Sequence, residues 1–110
     1  MHAMLSFALE DLCCEILVAN GWRVEKSDPF SDSIADIIAT EPNQNERIAF
    51  EIKYTRNPIY PTSALRISSE RLIESARAAG IDKAVLIVAA NIKQKIKQQI
   101  EAQYNIQVLN

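Results

Sequence analysis

A chain of 110 residues, 48% hydrophobic and 24% charged, has the composition of one ordinary globular domain. It is too short for a second folded core and too apolar for a disordered segment. A formal net charge of −2 excludes bulk positive charge as the means of holding nucleic acid, but leaves room for a local cationic patch or a metal.

The spacing of Leu5, Leu9, Leu12, Ile16 and Ala19 predicts an amphipathic helix over residues 4–20, ended by Gly21. The only cysteines, Cys13 and Cys14, fall inside it. Adjacent helical residues point about 100° apart, so the two are expected as reduced, half-buried thiols and not as a disulfide or chelating pair. Residues 22–26 are expected to form a strand, 27–33 a polar turn-rich loop, and 34–40 a second strand. A turn over 41–46 leads into a third strand over 47–54, giving an antiparallel meander. Pro58 and Pro61 predict an irregular crossover over 55–62. Leu65, Leu72, Ala76 and Ala79 then define one face of a helix ending at Gly80.

Residues 83–89 are apolar on both faces, as suits a central strand covered by helices. The run Ala84–Ala90 is also far shorter than the roughly 20 residues of a membrane span. No cationic-then-apolar leader is read at the start of the chain, so a cytoplasmic location is the expectation. Asn91 with Gln94 resembles a capping box opening a helix to about Gln103, and residues 106–109 would add a final strand. The order αβββαβαβ points to one α/β unit over residues 1–110, with a mixed sheet.

The stretch with most chemical content is Arg47-Ile-Ala-Phe-Glu-Ile-Lys-Tyr54. Side chains of a strand alternate between faces, so Ile48, Phe50, Ile52 and Tyr54 make one apolar side while Glu51 and Lys53 project together from the other. A carboxylate and an ammonium on one sheet face can bind a metal and steer a water beside it, and Asp36 on the preceding strand could complete the set. The plainer reading is a solvated strand face. Asp36, bordered by Ala35 and Ile37, argues for more, because burying a lone carboxylate is costly.

These residues, in this element order, resemble the PD-(D/E)xK nuclease superfamily, especially the small Mrr-like restriction-endonuclease core, with the archaeal Holliday-junction resolvases a close second. The matching pieces are Phe7-Ala-Leu-Glu10, Asn20-Gly-Trp-Arg-Val24, Ala35-Asp-Ile-Ile-Ala-Thr40, Ala49-Phe-Glu-Ile-Lys-Tyr54 and the Val85-Leu-Ile-Val88 strand, which together span nearly the whole chain. Glu-x-Lys alone is weak; its placement after an Asp-bearing strand and a Glu-bearing helix gives it weight. Two departures are visible. Ala35 stands where the family name has proline, and the Gln-x-x-x-Tyr signature of RecB-type members is missing after Lys53.

The resemblance implies a restriction-endonuclease-like three-layer α/β/α sandwich with a mixed central sheet. It implies a metal-dependent endodeoxyribonuclease in which Asp36, Glu51 and the carbonyl of Ile52 hold Mg²⁺, with Mn²⁺ as a substitute. Lys53 would orient the attacking water and stabilise charge on the phosphate, and Glu10 would support the metal or its water shell. On the helical wheel Glu10 and Glu15 flank the apolar stripe equally; only the spacing to Gly21, by analogy, favours Glu10. The implied partners are DNA, a second copy in a homodimer, and a separate DNA-recognition subunit, with no membrane. A nuclease fold kept as a non-enzymatic binding module and a junction resolvase are the alternative readings.

Among the remaining polar residues, Asp28 and Asp32 read as turn formers. Arg66, Glu70, Glu74 and Arg77 read as a salt-bridged helix surface; Lys93, Lys95 and Lys97, with nearby glutamines, could touch phosphates, but a solvated helix face is the favoured reading. Arg56 is a candidate phosphate contact, and Trp22 reads as a core anchor.

Overall fold

The computed structural model describes residues 2–26 and 37–110, with side chains at 8–25 and 37–110. The element order is α1 (His2–Ala19), β1 (Arg23–Lys26), β2 (Ile37–Thr40), β3 (Arg47–Ile59), α2 (Thr62–Ala78), β4 (Lys83–Asn91), α3 (Gln94–Tyr104) and β5 (Gln107–Leu109). The five strands form one sheet in spatial order β1-β2-β3-β4-β5. The β1–β2 and β2–β3 pairs are antiparallel, as expected of a meander, and the β3–β4 and β4–β5 pairs are parallel. Each parallel step needs a crossover, which α2 and α3 provide.

The helices divide between the two faces, giving three layers. On one side α1 lays Leu9, Cys13, Cys14 and Leu17 over Ile37, Ala39, Phe50, Ile52 and Val85. On the other, Leu65, Leu72, Ile73 and Ala76 of α2 and Ile100 of α3 pack with Ala49, Ala84, Leu86, Val88 and Val108. β4 thus contributes to both cores, as its continuous apolar run requires. Trp22 meets Phe50 edge-on, ring centroids 6.0 Å apart and planes at 70°. That contact helps fix the register of β3, since a one-residue slip would carry Phe50 and Ile52 out of the core.

α1 and α2 end alike. The amide of Gly21 (φ 87°) donates to the Val18 carbonyl and that of Trp22 to Leu17, while Gly80 (φ 74°) donates to Arg77 and Ile81 to Ala76. Both are Schellman closures, which need a left-handed residue that glycine supplies without a Cβ penalty.

Five expectations change. The apolar stripe of α1 is buried only in part: Leu9 meets the sheet, but Leu12 and Ile16 are 51% and 53% exposed, and Ala19 is exposed too. Two apolar stripes run along this helix, and cysteine packs as a small hydrophobe, so Leu9, Cys13 and Leu17 take the sheet. Residues 55–59 are not a loop, because β3 continues to Ile59, with a register irregularity between Tyr54 and Ile59 that accommodates Pro58. Asn91 ends β4 and caps nothing; the residue before α3 is Lys93, with no side-chain cap. Ala79 is exposed at the end of α2. Arg66, Glu70, Glu74 and Arg77 are exposed as expected, yet no ion pair joins them. The expected loop over 27–33, with Asp28 and Asp32, and the start of the second strand lie outside the described residues.

Candidate active site

The position of Glu51 follows from its neighbours. Phe50 and Ile52 are buried beneath α1, so alternation turns Glu51 and Lys53 to the opposite face, the one that Ala49 shares with α2. Glu51 is only 3% exposed, which removes the solvated-face reading for it. Its Oε1 lies 3.0 Å from Lys53 Nζ, and the Lys53 side chain is 38% exposed. One member of this pair is therefore enclosed by protein, and the other reaches solvent. A carboxylate in such surroundings is costly without a compensating charge, and the ammonium supplies one.

The other predicted members fall differently. Asp36 lies outside the described residues; it directly precedes Ile37, which pairs with Phe50. Glu10 is half-buried on α1 while Glu15 is exposed, a difference the helical wheel did not show. Glu10 belongs to the layer that covers the Phe50 side of the sheet, and Glu51 stands on the other side. Among the described residues, no three His, Cys, Asp or Glu side chains gather closely enough to hold a metal ion by themselves. The donor chemistry that is present suits a hard divalent cation: Glu51 offers carboxylate oxygens in a water-poor setting, with the Lys53 ammonium beside them.

Around this pair the polar groups sort by role. Ser69, which sequence reasoning passed over, is fully buried on the sheet-facing side of α2. Its hydroxyl donates to the Leu65 carbonyl at 2.7 Å, so it is satisfied within its own helix and is a packing residue. Arg56 is exposed and stands on β3, three residues beyond Lys53, where the expected crossover would have detached it. Cys13 and Cys14 are not joined in a disulfide, and burial, followed by the neighbouring Cys14 and Glu10, holds the Cys13 thiol above the usual range. Cys13 is therefore a poor nucleophile and a poor metal ligand at neutral pH. At the start of β3 and β4, Lys83 donates to Glu46 at 2.6 Å, and Arg47 lies 3.9 Å from Glu25. No described helix is long and apolar enough to cross a membrane.

The chain resembles a solved protein of unknown function, AF1548, with a TM-score of 0.70 and 12% identity, covering 91% of this chain and 55% of that one. It also resembles a repair endonuclease from Pyrococcus abyssi, with a TM-score of 0.59 and 12% identity, covering 97% of this chain and 46% of the other. At such identity the likeness is one of fold, and this chain spans about half the length of either structure. No curated protein matches it. The sequence model of the Mrr_cat family, described as restriction endonuclease, matches residues 1–110. With Glu51 and Lys53 set together on the central strand of the expected sandwich, and that match running through every element described above, the chain belongs to the Mrr_cat restriction endonuclease family.

Proposed function

We propose that this chain is a Mg²⁺-dependent endonuclease that hydrolyses DNA phosphodiester bonds in restriction, defence or repair. The observation that carries the reading is the enclosed Glu51 carboxylate, 3.0 Å from the half-exposed Lys53 ammonium on one face of β3. In this reading Asp36, Glu51 and the Ile52 carbonyl hold Mg²⁺, which Mn²⁺ can replace. A bound divalent ion supplies Lewis acidity toward the anionic phosphodiester and makes a nearby water more acidic. Lys53 orients that water and places positive charge where negative charge grows on the phosphoryl oxygens, without taking a coordination position. Glu51 holds the ammonium in place, while the open side of Lys53 leaves it within reach of substrate.

Residues 1–110 act as one nuclease domain in a cytoplasmic setting. The exposed Leu12 and Ile16, one turn apart on α1, offer an apolar surface that supports assembly, either as a homodimer or with a separate DNA-recognition subunit. The test is to incubate the protein with plasmid, single-stranded DNA and four-way junctions in Mg²⁺ or Mn²⁺, beside Asp36→Asn and Lys53→Ala. Cleavage lost in both variants is expected, and cleavage that persists undiminished in them sinks the assignment. Titration calorimetry with Mn²⁺ separates an enzyme from a non-enzymatic module, which would bind no metal through Asp36 and Glu51.

A further inference from the structure

The charges of this acidic protein are not mixed evenly. Residues 52–69 contain Lys53, Arg56 and Arg66 and no acid, and residues 84–100 contain Lys93, Lys95 and Lys97 and no acid; all 14 Asp and Glu lie elsewhere. These two segments are separate in sequence, and the parallel pairing of β3 with β4 brings them to one end of the sheet. Lys53 stands opposite Val88, and the ladder closes at Ile59 opposite Asn91, with the Tyr60 amide donating to the Asn91 carbonyl at 3.0 Å. Beyond that closure a groove of about 260 Å³ runs between Ile59, Tyr60 and Thr62 on one side and Ile92, Lys93 and Ile96 on the other.

The two ends of the strands differ in kind. At the start of β3 and β4 acids stand beside two of the cations, Glu46 beside Lys83 and Glu25 beside Arg47, while Arg23 donates to the Asn45 side chain. At the far end Arg56, Arg66, Lys93 and Lys95 are exposed, and among the described residues none of them has a carboxylate partner. The positive ends of the α2 and α3 dipoles lie at this same end and add to its sign. Unanswered cations at one end of an acidic domain mark the place where a polyanion is held.

The geometry points to a DNA-backbone track that leaves the Glu51–Lys53 site, runs along Arg56 and reaches Lys93 and Lys95 at the start of α3. This rests on the nuclease reading for the site from which the track begins. DNA is the occupant because the end of the sheet beyond Lys53 is cationic: Arg56 follows Lys53 on β3, within the register irregularity between Tyr54 and Ile59. At roughly 3.3 Å per strand residue, Lys53 to Arg56 spans about 10 Å and Val88 to Lys93 at most about 17 Å. With one phosphate per about 3.4 Å of axis on each strand, the track accommodates three to five nucleotides, roughly. It explains how a chain of net charge −2 can engage DNA.

The experiment measures binding of a short fluorescein-labelled DNA duplex by anisotropy, in EDTA to suppress cleavage, across about 50–200 mM salt. Each lost phosphate contact should lower the slope of log affinity against log salt by about 0.9, so Lys93→Gln with Lys95→Gln should lower it by about 1.8 and Arg56→Gln by about 0.9. Arg71→Gln with Arg77→Gln, on the second half of α2, should leave the slope unchanged. The track is overturned if wild-type protein does not bind the duplex, or if the Lys93/Lys95 variant keeps the slope and affinity of the Arg71/Arg77 control. Cleavage by wild-type protein in Mn²⁺ is scored separately. Loss of slope without any wild-type cleavage leaves the track standing and removes the nuclease reading, and cleavage with an unchanged slope does the reverse.

Discussion

Replacing Glu51 by glutamine should separate function from fold. The change is nearly isosteric and removes one buried negative charge from a side chain only 3% exposed. If the ion pair existed to hold the fold, losing one partner of a buried pair would cost about 3–5 kcal/mol. The partner here is not enclosed: the Lys53 side chain is 38% exposed and keeps access to water once the carboxylate is gone. The bound on the loss is therefore nearer that of an exposed pair, about 1 kcal/mol or less, and relief from desolvating Glu51 opposes even that. Metal-dependent cleavage should fall about a thousandfold, or about 4 kcal/mol in the barrier, because the group removed acts on charge in the transition state. Urea unfolding of wild type and Glu51→Gln gives the first quantity, and single-turnover cleavage of plasmid in Mn²⁺ gives the second. A loss of about 3 kcal/mol in stability with cleavage per folded molecule intact would refute the reasoning and make the pair a structural one.

Leu86→Ala, at a site with no exposure between α2 and the sheet, should cost about 2–5 kcal/mol, while Leu12→Ser should stay within about 0.5 kcal/mol; denaturant midpoints for the two variants check this contrast. Gly80→Ala should cost about 1 kcal/mol from its positive φ alone, since no atom lies within 4 Å of the added Cβ, and Gly80→Asn should recover part of the loss on the same unfolding assay. The hydrogen bond from Lys83 to Glu46 raises the lysine above its ordinary pKa. The stability it adds is complete below about pH 10 and lost as pH rises through the folded value, so wild type and Lys83→Gln should converge in strongly alkaline urea titrations. With its thiol held in the neutral form, Cys13 should react with iodoacetamide at mildly alkaline pH more slowly than a free cysteine, as peptide mass mapping would read.

Most of the architecture was legible because periodicity and punctuation agreed. The continuous apolar run of residues 84–88 placed β4 between two helical layers, Gly21 and Gly80 marked two helix ends, and the alternation in residues 47–54 put Glu51 and Lys53 on one face. What failed was what periodicity leaves degenerate. α1 carries two apolar stripes, and only the presence of a sheet beside Leu9, Cys13 and Leu17 selects one. Pro58 read as a break, but a proline can sit at a register irregularity near a strand end without costing a ladder bond. Asn91 looked like a cap because the sequence does not show that β4 runs on through it.

By itself the sequence determined the element order, the shared face of Glu51 and Lys53, and the family resemblance, because these depend on spacing along one chain. Only the tertiary structure decided that Glu51 is enclosed while its ammonium partner reaches water, and that Glu10 and not Glu15 is shielded on α1. It alone brought the acid-free segments 52–69 and 84–100 to one end of the sheet. Burial and the meeting of distant segments are properties of packing between strands and helices, and no spacing within a single element encodes them.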